Sequence, residues 1–170
     1  MNEFSLPKVI DTRRDTDGRL IEIIVGSTTE NVNEASWLVA VDGSPHADEA
    51  VNRAIHLSLK MGTRRIILVH VHTWLSKEAA ENDLLKFAMQ NSVSARNSVE
   101  KAGLGWQLHA ALGASAETIV DIATQQNCFG ISIGHRGMNF ATSVLIGSCA
   151  HQVIQFSPLP VLVSKRPPTT

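Results

Sequence analysis

The chain has 170 residues, a formal charge of −1, 44% hydrophobic and 18% charged residues, few aromatics and no tyrosine. That length fits one domain able to bury ~70% of its unfolded surface, and near-neutral, interspersed charge gives no basis for nucleic-acid or anionic-membrane binding. Two cysteines, Cys128 and Cys149, make neither a disulfide framework nor a metal or redox pair. No apolar run approaches the ~18 residues of a membrane span, and the first residues lack a basic region followed by an apolar core, so a cytoplasmic protein without membrane insertion is expected.

In chain order, residues 1–36 read as an N-terminal extension: 11–18 is polar and turn-rich, 20–25 is apolar enough to dock as one edge strand, and 27–36 is polar again. Strands and helices then alternate through a domain spanning 37–165, followed by a tail, 166–170. Residues 37–41 form a continuous apolar run typical of a buried parallel strand. Ser44 is a helix N-cap, Pro45 fits the first helical position, and Gly62 stops that helix. A second strand covers 66–71. A single long helix is expected from Ser76 towards Ala102, closed by Gly103, then a strand over 106–111 and a helix capped by Ser115. Residues 129–133 are a fourth strand, 148–156 a helix ended by Pro158 and Pro160, and 161–163 a last strand. This alternation predicts an α/β fold: a single domain with an open, five-stranded parallel sheet in the order 3-2-1-4-5 and helices on both faces.

In such a sheet the ligand crevice lies beyond the carboxyl ends of the first and fourth strands. Asp42 ends the first. At the end of the fourth stands Gly134-His135-Arg136-Gly137, followed after nine residues by Gly147-Ser148 at a helix start. Glycines allow close backbone approach, and a helix start offers unpaired N–H groups and a positive dipole end, so the two corners converge on one anion. Ser148 adds a hydroxyl and Arg136 a charged fork. The plainer alternative is two turns and a capped helix.

Together, Val39-Ala40-Val41-Asp42-Gly43-Ser44, Val69-His70-Val71, the glycine pattern with its spacing, and Pro160-Val161-Leu162-Val163 resemble the universal stress protein family. The resemblance implies ATP, with magnesium or manganese, lying across the crevice. It implies that Ala40, Val41 and Asp42, with Val71 opposite and Ser44 in the same turn, flank adenine. It implies that Ile133, Gly134, His135, Arg136 and Gly137 face ribose and phosphates, and that Gly147, Ser148 and Cys149 hold the phosphate chain. It also implies a homodimer through the last strand. The expected function is a nucleotide-dependent stress-response switch or sensor working through an unidentified protein partner, with bound nucleotide ordering 138–146. The alternatives are a slow ATPase or nucleotide-dependent transferase, and a dimeric interaction module without nucleotide. His135, Cys149 and Phe129 depart from the family's usual residues. Cys149 reads as a small hydrophobe, with a reactive thiolate near the helix dipole as the alternative. His70 and His72 alternate along a strand, but without further ligands nearby no metal site is assigned; His72, near the strand end, is expected to line the pocket.

Overall fold

The computed structural model describes residues 7–27, 35–137 and 146–166. In order, its elements are β1 (Lys8–Arg14), β2 (Leu20–Gly26), β3 (Trp37–Ala40), α1 (Pro45–Met61), β4 (Arg65–His72), α2 (Lys77–Asn91), α3 (Val93–Lys101), β5 (Gly105–Leu112), α4 (Ser115–Gln125), β6 (Gly130–Gly134), α5 (Ser148–Phe156) and β7 (Val161–Ser164). The segment 138–145 lies outside the described residues, and with it nearly all of the loop expected to respond to nucleotide.

The expected five-stranded parallel sheet is wrong: the sheet has seven strands in the order β1-β2-β5-β4-β3-β6-β7 and is mixed. β3, β4, β5, β6 and β7 pair in parallel, while the N-terminal region contributes an antiparallel hairpin whose second strand pairs antiparallel with β5. The physical cause is the apolar side of β2. Leu20, Ile23 and Val25 are buried in the same core as Leu84 and Val99 of α2 and α3, so docking β2 on the edge of β5 removes them from water and satisfies that edge's backbone. Polar contacts fix the hairpin's tip. Arg14 pairs with Glu81 of α2, and the Lys77 ammonium donates to the Asp17 carbonyl at 3.1 Å.

Each face of the sheet carries its own core. On one, Val51 of α1, Leu84 of α2 and Val99 of α3 pack on Val39, Ile66, Leu68 and Leu108; on the other, Ile119 and Ile122 of α4 and Val153 of α5 pack on Leu38, Ile67 and Ile131. Local chemistry sets α1. The Ser44 hydroxyl accepts from the Ala47 N–H at 3.1 Å, Pro45 opens the helix, and Gly62 closes it at φ 74°.

The single long helix expected after β4 is two helices that meet at Ser92, which has φ −109° and ψ 4° and is fully buried. There the Ser92 hydroxyl donates to the Met89 carbonyl at 3.4 Å, and Arg96 donates to both, through Nε to Ser92 Oγ at 3.1 Å and through Nη2 to Met89 O at 3.0 Å. Side-chain bonds thus replace part of the helical ladder. Ser115 is also not a cap: Ala114 holds the N-cap position of α4, which has no side-chain cap bond.

Candidate functional site

β3 and β6 are hydrogen-bonded neighbours, and their following helices pack on opposite faces, α1 against the first core and α5 against the second. The crevice this leaves at their carboxyl ends holds a cavity of about 170 Å³. One side is made by Ala40, Val41 and Asp42 beyond β3 and by Val69, His70 and Val71 of β4. The other comprises Ile133, Gly134, Arg136 and Gly137 from the end of β6, with Gly147, Cys149 and Ala150 at the start of α5. Ser115 and Ile119 of α4 complete the wall.

Four residues expected here, Ser44, His72, His135 and Ser148, do not line the cavity. Ser44 is buried with its hydroxyl spent on the α1 cap. Ser148 is the exposed first residue of α5. The His135 ring turns towards α1, edge-on to His46 with centroids 4.4 Å apart and planes at 81°. Its backbone is nonetheless a clasp, donating to Ser164 O at 2.8 Å and accepting from Gly147 N–H at 2.7 Å. That bond removes the Gly147 N–H from the donors expected for an anion. The first intrahelical bond of α5 runs from His151 N–H to Gly147 O at 2.9 Å, leaving the Ser148, Cys149 and Ala150 amides as the orphan donors of the first turn. Among the described residues no side chain caps them.

α1 and α2 are both capped by serines, whereas α4 and α5, whose first turns line the cavity, are not. Two helix starts, without a side-chain cap among the described residues, therefore meet at one space, where their dipoles and first-turn amides favour an anion. The opposite end is apolar apart from Asp42 and His70. One Asp42 oxygen accepts from the Ser44 N–H at 2.9 Å, and Gly137 passes so close that a Cβ there would stand 2.7 Å from the other. Gly134 serves a different contact: its Cβ would lie 2.7 Å from the His46 backbone carbon, so this glycine lets α1 close on β6.

His70 was set aside in the sequence, yet it lines the cavity. Its Nδ1 bonds the Val41 carbonyl at 2.9 Å, and Nε2 faces the Asn91 amide at 3.4 Å. A carbonyl can only accept, so the proton sits on Nδ1 and Nε2 is left as the acceptor. Burial pushes the His70 pKa down, against the raising influence of the Val41 carbonyl, and holds the ring neutral. His72 does not reach the cavity; its ring stacks on Phe87 at 5.4 Å. The Cys149 thiol is pushed up by burial and by the Asp42 charge, which opposes the thiolate alternative, and burial takes Cys128 up to about 12. Among the described residues no group of three or more His, Cys, Asp or Glu is placed to hold a metal. Sequence reasoning also missed Ser115 and Ile119; the usable signal was topological, since a helix following a parallel strand starts at the same end of the sheet as the crevice.

A doubly wound α/β domain with its cavity where the crossovers diverge is the class these features define. Residues 36–165 match the model of the Universal stress protein family, and the chain belongs to that family. It is 26% identical over 142 residues to universal stress protein YxiE of Bacillus subtilis (strain 168), the match covering 74% of this chain and 95% of that protein. Among solved structures it resembles hypothetical protein MJ0577, with a TM-score of 0.70, 25% identity and coverage of 81% of this chain and 100% of the other. It shares the fold of a universal stress protein from Archaeoglobus fulgidus solved in complex with dAMP, with a TM-score of 0.63, 22% identity and coverage of 79% and 100%. Among the described residues no helix is long and apolar enough to cross a membrane.

Proposed function

We propose that this chain binds ATP across the β3–β6 crevice and works in the cytoplasm as a nucleotide-dependent stress-response switch or sensor through a protein partner. The observation that carries the reading is the convergence of two uncapped helix starts, α4 and α5, on one cavity whose far end is apolar. Phosphates suit the amide end, with Arg136 beside them. A base suits the slot between Val41 and Val71, with the Asp42 carboxylate as an acceptor for an amino group or ribose hydroxyl. Asp42 is the one carboxylate among the described residues lining the cavity, so magnesium or manganese would be carried mainly by the phosphates. Amides bind ground state and transition state alike, which favours holding ATP over cleaving it.

The same reading makes the protein a homodimer through β7, a sheet edge with Val161, Leu162 and Val163 half-buried and with Ile154 and Phe156 of α5 exposed. A sedimentation mass of one chain would remove that part. The nucleotide part is tested by calorimetric titration of MgATP into the wild type and Gly147→Val. Gly147 has φ −65° and ψ 152°, a backbone open to valine, but it is buried, so a melting curve of the variant separates lost approach to the amides from lost folding. Binding by the wild type and its loss in the variant are expected. Absence of binding in wild-type protein freed of co-purified nucleotide would overturn the proposal.

A further inference from the structure

A second cavity, of about 150 Å³, lies between the N-terminal hairpin, β5 and α4. It exists only because β2 docks on β5, and β1 and β2 both precede the part of the chain that matches the family model. At ~30 Å³ per molecule it has room for about five waters, the size of a small metabolite.

Its construction is specific. Asp11, Ile24 and His109 lie in one cross-strand row, and Arg13 and Glu22 in the next. The floor is the buried Glu22 carboxylate: its Oε1 is 2.7 Å from His109 Nδ1, and its Oε2 accepts from Nε of the exposed Arg13 at 3.0 Å. Both carboxylate oxygens are thereby engaged, but His109 is 1% exposed and its Nε2 has no hydrogen-bond partner. Gln125 and Gln126 of α4 add polar groups to the same lining. Ile24 and Ile122 supply apolar walls.

The rim sets the ligand's charge. Asp11 and Arg13 stand two residues apart on one face of β1, ~7 Å along the strand, one negative and one positive, and both are exposed. A phosphate would meet Asp11 and Glu22 as well as Arg13, and a cation would meet Arg13. A molecule carrying both charges satisfies the two rim groups at once, with its remaining atoms between the isoleucines and a polar end at Gln125 and Gln126.

We propose that this cavity is a binding site for a small zwitterion of the free α-amino acid class. The ammonium pairs with Asp11, the carboxylate with the Arg13 guanidinium, and a short polar side chain meets Gln125 and Gln126 of α4. The site is separate from the crevice and does not depend on nucleotide binding there.

The experiment is calorimetric titration of the full chain with a panel of the free amino acids, and with glycerol and inorganic phosphate as probes of the same size range. Arg13→Gln and Asp11→Asn are titrated in parallel. Saturable binding of at least one short polar amino acid is expected, with neither glycerol nor phosphate competing. Each rim variant should weaken it about 10-fold to 100-fold through loss of a charge-assisted bond, while the melting temperature without ligand stays that of the wild type in Asp11→Asn, at an exposed position, and falls in Arg13→Gln, which takes a partner from the buried Glu22 carboxylate. Failure of every amino acid to bind, equal binding of glycerol or phosphate, or wild-type affinity in both variants would each overturn the proposal.

Discussion

Replacing Gly134 and Gly137 by alanine, one at a time, separates two uses of glycine that lie three residues apart. A Cβ on Gly134 would stand 2.7 Å from His46 C and 2.9 Å from Ala47 N, where ordinary contact begins at 3.4 Å. Both obstacles are backbone at the start of α1, so the helix and β6 must part. Overpacking of that kind costs about 1–3 kcal/mol, and for a chain of this size each kcal/mol lowers the melting temperature by about 2–4 °C. Gly134→Ala should therefore melt about 4–8 °C below wild type near the middle of that range. A Cβ on Gly137 would meet Asp42 Oδ2 at 2.7 Å, which is the end of a side chain and can swing. Gly137→Ala should melt less than about 2 °C below wild type, a cost under ~1 kcal/mol on the same scale, and show its effect in ATP titration, because Asp42 leaves its place at the base end. Thermal melts by circular dichroism and calorimetric titration read both quantities. A Gly134→Ala melt indistinguishable from wild type, or a larger stability loss in Gly137→Ala than in Gly134→Ala, would refute the assignment.

Acid should destabilise the fold through two histidines. Burial holds His70 below its ordinary 6.5, and burial, His46, Arg136 and Lys165 lower His135 likewise. Between those lowered values and 6.5 the unfolded chain binds the extra protons, so the stability is fully present above about 6.5 and is lost as pH falls. Denaturant midpoints measured from pH 7.5 down to 5 should drop less steeply in His70→Gln and in His135→Ser than in wild type; parallel curves would remove both groups from the account. Ser44→Ala strips the α1 cap and should cost about 1 kcal/mol in urea unfolding, and a Ser148→Ala loss of equal size would contradict the contrast between a capping serine and an exposed one.

Where function follows from local chemistry, the sequence was readable. Ser44, Pro45 and Gly62 bound α1 through side-chain capping, ring geometry and a left-handed φ, each a property of the residue itself. β1 was unreadable for a matching reason: every residue from Lys8 to Arg14 is exposed, so no face is apolar and no alternation marks the strand. Its state follows from pairing with β2, and the wrong sheet came from that omission together with leaving the expected 20–25 strand outside the five-strand count. The break at Ser92 leaves the apolar stripe intact on either side, with Leu84 and Ala88 before it and Ala95 and Val99 after, so periodicity could not report it. Within the site, the motif located the cavity but not the direction of each side chain. The His135 ring lies against His46 and Ser148 is exposed, while the His135 backbone clasps Ser164 and Gly147, a tertiary contact that spacing does not encode.

The two edges of the sheet differ in a way that bears on assembly. β1 carries Lys8, Asp11, Arg13 and Arg14, and charge along an edge strand opposes pairing with another chain because each added strand would bring those groups together or strip them of water. β7 carries Val161, Leu162 and Val163, with Ser164 its one polar residue, and has no such guard. Without the hairpin, β5 would be an edge as well, with Leu108, Ala110 and Ala111 along it. The N-terminal strands therefore leave one apolar sheet edge among the described residues, and the dimer proposed through β7 would use that edge on both copies and close, with no second apolar edge to extend an open chain.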